Sequence, residues 1–225
     1  MKLMNHIIIA IAALICLSSL SFSQTKEHEP AISRQDDESL YYHNAWGGDI
    51  LISNNGFGLG AFYRHEYTDD IAGYMDFSIS ESKDNREIDT YDYYTGETYV
   101  QGKINRFLVL PLYAGIQYRL FSDEIMDNFR PYVNAAVGPT MIYVFPYNQD
   151  YFSALWKGQP HYTVGGYIGL GAYFGSMRSS LFGLNIRYYL VRDGSGLPSM
   201  QYGTDVSNKS DFGGFVISFN IGKAF

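Results

Sequence analysis

Cysteine is nearly absent: Cys16 is the only one, and it lies inside an apolar run close to the N-terminus. If that run is removed, the mature chain has no thiol, which excludes disulfides, a thiolate nucleophile and cysteine-ligated zinc or iron–sulfur sites. The residues before Cys16 (Ala13, Leu14, Ile15) lack a small residue directly ahead of it, so no lipid anchor is expected. Charge is also sparse, with Asp, Glu, Lys and Arg making up 17% of the chain against ~25% in ordinary soluble domains. The formal net charge is −7, a sign that argues against nucleic acid as a partner. Beyond the N-terminal segment no run of 18 apolar residues occurs, and the mean hydropathy is −0.15. Helical membrane spans are therefore not expected. Patterned metal ligands are lacking too: His28, His43, His65 and His161 are scattered without ligand spacing. Gly165, Gly166, Gly169 and Gly171 fall within a strand pattern and not at a strand-to-helix turn, so they form no phosphate loop. No cofactor is expected.

The N-terminus carries Lys2, an eleven-residue apolar run from Ile7 to Leu17, and small polar residues including Ser21 and Ser23. This pattern predicts a secretory signal peptide over residues 1–23, cleaved before Gln24. The run is too short for a comfortable membrane helix, which needs ~20 residues. Loss of Lys2, with no acidic residue before Gln24, takes the net charge from −7 to −8. Residues 24–44 are polar, with Pro30 and the acidic cluster Asp36, Asp37, Glu38, and read as a flexible periplasmic lead-in.

Residues 45–225 are rich in what barrels use: the chain has 23 Gly, 21 Tyr and 15 Phe. The final segment alternates Phe215, Ile217, Phe219, Ile221 and Phe225 against Val216, Ser218, Asn220, Gly222 and Ala224. A strand has a side-chain period of two, so one face is apolar and the other small or polar. Seven earlier segments repeat the pattern, at roughly Trp46–Ser53, Phe57–Tyr67, Ile71–Ser82, Ile104–Phe121, Arg130–Phe145, His161–Phe174 and Leu181–Arg192. Eight strands in this length leave about 22 residues for each strand and its connection, enough for spans of ~9–11 residues. Three alternate connections, Thr68–Asp70, Ser122–Asn128 and Gly175–Ser180, are short; Lys83–Lys103, Pro146–Pro160 and Asp193–Ser210 are long. Short turns on one side and long loops on the other suit an outer-membrane barrel with both termini in the periplasm. Outward aromatics fall into two belts, with Tyr63, Tyr67, Tyr118, Phe174, Phe182 and Phe225 at one end. Phe57, Tyr143, Phe145, Tyr162, Tyr188 and Phe215 lie at the other. The expected fold is all-β: an eight-stranded antiparallel up-and-down transmembrane β-barrel in the bacterial outer membrane, preceded by a cleaved signal peptide. The competing fold, a soluble β-sandwich or lipocalin-like barrel, also alternates but packs its apolar face inward.

The signal end Ser21–Phe22–Ser23–Gln24 and the runs Leu110–Pro111–Leu112–Tyr113–Ala114–Gly115 and Arg130–Pro131–Tyr132–Val133 resemble the small outer-membrane β-barrels common in Bacteroidetes-type bacteria. These share the fold of the OmpA membrane domain, OmpX and OmpW. The resemblance implies outer-membrane lipid and the barrel-assembly machinery as partners, with Phe219, Ile221 and Phe225 as the C-terminal assembly signal. Lys223 departs from that signal, where an apolar or aromatic residue is usual, and no peptidoglycan-binding domain is expected after the barrel.

An eight-stranded barrel is filled by its own side chains, so no open pore is expected. The lumen is predicted to hold Asp49, Arg64, Glu66, Asp76, Arg119 and Arg187 as a balanced charge network, since unpaired charges are costly in a narrow interior. A gated ion path is the functional alternative for the same residues. Catalysis has little support: His161 shares a face with Thr163 and not with a serine. The acids of the long third connection (Asp84, Glu87, Asp89, Asp92, Glu97) lack a calcium-loop pattern. The same connection gathers Tyr91, Tyr93, Tyr94 and Tyr99 and is expected to form a projecting hairpin. Its tyrosines suit contact with an extracellular protein or glycan. Pro111 and Pro139 are expected side by side on neighbouring strands, one facing in and one out. The missing N–H groups mark a lateral seam through which a small apolar molecule could leave, as proposed for OmpW-like proteins. The expectation is a non-enzymatic closed barrel with a structural or surface-interaction role through its long loops. Passage of small hydrophobic or ionic solutes is the alternative, and a lipid-modifying enzyme ranks below it.

Overall fold

The computed structural model describes residues 43–122, 125, 129–174 and 180–225. The signal-peptide reading over 1–23 and nearly all of the lead-in reading over 24–44 lie outside these residues, as do most of the connections at 122–128 and 175–180. In chain order the elements are β1 (Asn44–Ser53), β2 (Gly56–Glu66), β3 (Ile71–Ser82), β4 (Asp89–Tyr91), β5 (Thr98–Val100) and β6 (Asn105–Arg119). They continue with β7 (Phe129–Pro146), the one-turn helix α1 (Tyr151–Leu155), β8 (Gln159–Phe174), β9 (Ser180–Tyr202), β10 (Asp205–Asp211) and β11 (Gly214–Ala224).

Eight of these strands close on themselves in the order β1-β2-β3-β6-β7-β8-β9-β11, every neighbour antiparallel. Closure is made by β11 on β1, in register from Ala45↔Ala224 to Ser53↔Val216, so no barrel edge is left along that length. The chain is thus an eight-stranded up-and-down antiparallel β-barrel. Alternation decides the faces. Trp46, Leu59, Met75, Leu112, Val137, Ile168, Leu190 and Ile217, one from each barrel strand, are exposed on the outer wall, while Asp49, Arg64, Asp76, Gln117, Asn134, Asn185, Arg187 and Asn220 are buried inside. Apolar side chains outside and polar ones inside invert the pattern of a water-soluble barrel and suit lipid. That inversion rules out the soluble alternative.

The inner face of β8 alternates the bulky Tyr167 and Tyr173 with Gly165, Gly169 and Gly171, and these glycines make room for large neighbours. A Cβ at Gly165 would collide with the Tyr113 hydroxyl, and one at Gly171 would sit 2.7 Å from the Tyr132 ring. The turn between β1 and β2 relies on Gly56, whose φ of 148° brings it against the Glu81 carbonyl. Asn55 Nδ2 ties this turn to the Gly213 carbonyl at 3.0 Å.

Two sequence expectations are corrected. The seventh strand, expected to stop at Arg192, runs on to Tyr202, and the expected loop Asp193–Ser210 is largely a hairpin of β9 with β10. Above the lipid a hairpin needs no apolar outer face, and Gly194, Gly196, Pro198 and Gly203 imitate loop punctuation, so the period-two signal is lost there. Phe145, expected in the loop-end lipid belt, is buried beneath Tyr151 of α1, with ring centroids 5.4 Å apart. Tyr143 beside it donates to the Leu155 carbonyl at 2.6 Å. A five-residue helix is too short to announce itself by periodicity.

Candidate functional site

The interior is stacked in layers. At the end carrying both termini, Ala45, Phe62, Tyr132, Tyr173, Leu181 and Ala224 form an apolar cluster. Tyr132 and Tyr173 stack there at 4.7 Å. Arg64 lies over the Tyr173 ring at 4.9 Å and pairs with Glu66 at 2.7 Å.

Above that cluster sits a polar layer centred on Arg187, which β9 points into the lumen. Asp49 of β1 and Asp76 of β3 reach it from the facing wall, at 3.4 Å and 3.6 Å. Each carboxylate is also held by a neutral donor, Asn220 for Asp49 and the Tyr167 hydroxyl for Asp76. Arg187 donates to the Tyr189 hydroxyl at 3.3 Å and its guanidinium faces the Tyr167 ring at 4.7 Å. The one buried cation thus lies between two carboxylates, each also hydrogen-bonded, so none of the three charges is buried alone. The six lumen charges therefore do not form one network. Arg187, Asp49 and Asp76 meet in the middle, Arg64 and Glu66 pair near the terminal end, and Arg119 at the rim makes no ion pair among the described residues.

The next layer is aromatic. Tyr74, Tyr113, Tyr167 and Tyr189 crowd together, with Tyr167 and Tyr189 at 4.8 Å, and Tyr113 hydrogen-bonds Thr140 at 2.8 Å. Over it lies an apolar plug of Phe107, Val109, Ile142, Val191, Leu197 and Phe212, in which Phe107 and Phe212 meet edge to face at 5.3 Å. Beside the plug a cavity of about 40 Å³ is lined by Ser53, Gly58, Ser78, Ser80, Pro111 and Val216, room for water only.

The loop end is roofed by the extension of β9. Instead of continuing up the wall beside β8, residues 198–201 cross to β6, three barrel strands away. Ile104 N–H donates to Ser199 O at 3.0 Å, Gln201 N–H to Gly102 O at 2.7 Å, and Asn105 Nδ2 to Pro198 O at 2.8 Å. Lys103 and Glu87 pair at 2.6 Å under this roof, each side chain only 5% exposed. Lys209 donates to the Lys83 carbonyl at 2.7 Å, and Arg86 to Asn208 O at 3.2 Å. Burial pushes the Lys209 ammonium below its usual range. Asp84 accepts a forked pair from Arg86, 2.9 Å and 2.7 Å, which holds its carboxyl well below the usual carboxylate range. The roof residues Leu197, Ser199 and Met200 are buried, and nothing in their polar, glycine-broken sequence singled them out.

The crossing leaves a break in the wall. β8 pairs with β7 up to Val144↔Gln159 but with β9 only up to Gly165↔Val191. Over residues 159–164 the β9-facing edge of β8 has no ladder, and Thr163 bridges the gap by donating to Arg192 O at 2.6 Å. The proline pair lies elsewhere. Pro111 is buried opposite Thr140, one residue from exposed Pro139, and the β6–β7 register resumes unchanged at Ala114↔Val137. A similar two-pair gap separates Phe77↔Leu112 from Ser80↔Val109 on the β3 side. Tyr113, two residues beyond Pro111, is fully buried and hydrogen-bonds Thr140, the cross-strand partner of Pro111.

Beyond the roof, β4 and β5 form a free two-stranded hairpin. Its turn is closed by Gly96 N–H to Asp92 O at 2.8 Å, and the Asp92 carboxylate accepts Tyr94 N–H at 2.8 Å. Tyr91, Tyr93, Tyr94 and Tyr99 are all exposed, Tyr93 at 88% and Tyr94 at 102%. Phe219, Ile221 and Phe225 are exposed on the outer face, from mid-wall, where Phe219 pairs with Ile50, toward the end that carries both termini. His161 and Thr163 lie at the wall break, and among the described residues no three His, Cys, Asp or Glu side chains gather as a metal group would require.

No protein-family model matches the chain, and no curated protein sequence does. Among solved structures it is similar to the outer-membrane protein OprG from Pseudomonas aeruginosa, at 12% identity and TM-score 0.47, over 81% of this chain and 94% of that one. It is similar to the Neisserial surface protein A at 10% identity and TM-score 0.46, over 80% and 92%. The N-terminal β-barrel domain of Pseudomonas aeruginosa OprF gives 13% identity and TM-score 0.44, over 81% and 96%. At TM-scores below 0.5 these likenesses add nothing to the closed ladder and apolar outer belt seen in the chain itself, which make it an outer-membrane-type transmembrane β-barrel.

Proposed function

We propose that this barrel sits in a bacterial outer membrane with both termini in the periplasm and acts by surface interaction, not by catalysis or as an open pore. The observation that carries the reading is the contrast between its two ends of chemistry. Inside, four successive layers of side chains lie under a strand roof, with a cavity of about 40 Å³ beside the apolar plug among the described residues, whereas outside the tyrosine hairpin presents its rings to solvent. Tyrosine offers large contact area at small entropic cost, and the interspersed Asp89, Asp92 and Glu97 favour a polar extracellular protein or glycan as partner. The turn at Tyr67–Asp70 is short, while the opposite end carries the β4–β5 and β9–β10 hairpins and α1, which supports placing that end outside. Planar-bilayer recording of the refolded protein is the test of closure: silence is expected, and reproducible unitary currents would overturn it. The interaction arm is a comparison of cells displaying the wild type with cells displaying Tyr93→Ser/Tyr94→Ser, scored on protein and glycan arrays. Equal binding by both would remove the hairpin from the role.

A second reading, passage of a small hydrophobic solute, is favoured by the unladdered edge of β8 beside the apolar plug. It predicts that a disulfide between Val164→Cys and Arg192→Cys, which the Gly165↔Val191 register places opposite each other on the outer face, in a mature chain otherwise free of cysteine, stops solute uptake into vesicles. Uptake unchanged by the cross-link would eliminate this route.

A further inference from the structure

Helix α1 lies on the outside of the barrel wall. At the loop end of β7 the outward Phe145 is buried under Tyr151 of α1, and the half-buried Tyr143 is tied to the helix through the Leu155 carbonyl. Arg106, outward on β6, braces the same side by facing the rings of Tyr147 at 4.8 Å and Tyr151 at 5.4 Å. Ala154 is the helix residue turned fully inward. What α1 and its C-cap turn away from the wall is aromatic: Phe152 is 73% exposed and the C-cap Trp156, four residues on, 89%. Residues four apart share a helix face, so these two rings form one apolar patch. The patch continues the belt, since Tyr162 on the neighbouring β8 is exposed at the same end of the wall. Lys157 stands beside it, held by Gln149 at 2.8 Å.

We propose that α1 is an interfacial anchor, with Phe152 and Trp156 seated in the lipid of the loop-side leaflet at the boundary between headgroups and acyl chains, and Lys157 at headgroup level. Aromatic rings with a polar edge favour that depth, and a long cationic side chain reaches to headgroups from beside it. The lipid belt of the wall is thereby extended outward by one helix, which fixes how deep the barrel sits and clamps the β7–β8 connection against the membrane. This inference rests on the membrane-spanning reading of the barrel.

The chain has two tryptophans, Trp46 and Trp156, one at each end of the outer wall, which makes the test direct. The full mature protein carrying Trp46→Phe is reconstituted in phosphatidylcholine vesicles with acyl chains brominated near the headgroup, and Trp156 emission is recorded. Blue-shifted emission quenched several-fold by the brominated lipid, and little by aqueous acrylamide, is expected. Emission at the position of the urea-unfolded chain, quenched by acrylamide and not by lipid, overturns the proposal. Protection from both quenchers, as a second copy of the chain on this face would give, overturns it equally. The Trp156→Phe protein reports on Trp46 in the belt itself. If that residue too escaped lipid quenching, the membrane-spanning reading would fall, whereas quenching of Trp46 alone would sink only the anchor.

Discussion

Arg187 is the residue on which the lumen turns. It is the one cation between two buried carboxylates, so removing it does more than delete two ion pairs: it leaves Asp49 and Asp76 facing each other without compensation. Breaking a buried pair from one side costs about 3–5 kcal/mol, and Arg187→Met should lower barrel stability by that order, read as the urea midpoint of the heat-modifiability gel shift. Adding Asp49→Asn and Asp76→Asn to the same protein should restore most of the loss, because the layer is then neutral and still hydrogen-bonded. A triple variant as unstable as the single one would show that packing, not charge, is what Arg187 supplies. In the roof, Asp84 has its carboxyl held down by Arg86. A carboxylate with a depressed folded pKa adds stability that is present above its unfolded value, ~3.9, and is lost as pH falls below that toward the folded value. The roof should therefore keep its hydrogen-exchange protection at pH 5 and lose it in more acid solution, and Asp84→Asn should flatten that dependence. The membership of Asp49, Asp76 and Arg187 in one inward set was legible from alternation alone. That Arg64 and Glu66 form a separate pair, and that Arg119 stands apart, was not, because facing is fixed by the period of two while height and distance across the lumen are fixed by strand stagger.

At the scale of elements, β8 shows how composition becomes shape. Its inward glycines alternate with the large inward Tyr167 and Tyr173 and are the complement of bulky inward residues on its neighbours, such as Tyr113 on β6 and Tyr132 on β7. Gly165→Val should press on the Tyr113–Thr140 pair and cost about 1–3 kcal/mol by overpacking. Gly194→Ala, in the part of β9 above the wall where a Cβ meets nothing within 4 Å, should change stability by no more than about 0.5 kcal/mol. Urea midpoints of the two proteins, measured side by side, check the contrast, and equal losses would mean that β8 is not the packing-limited strand. The eight wall strands were legible because each carries an apolar face for lipid opposite a polar face for the lumen. The roof hairpin of β9 with β10 was not, since both of its faces meet water or protein and no alternation is imposed on it. Helix α1 was hidden for a different reason: five residues are far fewer than the ~11–18 over which a helical period can be recognised.

For the whole molecule, the dominant fact is an inside-out barrel whose mouth is shut by its own chain. Folding should be visible as a faster-migrating band on unheated gels that converts on boiling, and a chain that migrates identically in both states would contradict the closed barrel. Sequence alone determined the eight wall strands and, Phe145 apart, which of their residues face lipid and which the lumen, because each follows from local alternation and from chain length. The tertiary structure decided which lumen charges meet, that β9 leaves β8 to cross the mouth and open a break in the wall, and that α1 is laid outside over Phe145. Those outcomes depend on contacts between segments far apart in the chain, Arg187 with Asp49 or Ile104 with Ser199, whose partners are chosen by barrel stagger and packing and leave no periodic mark on either segment.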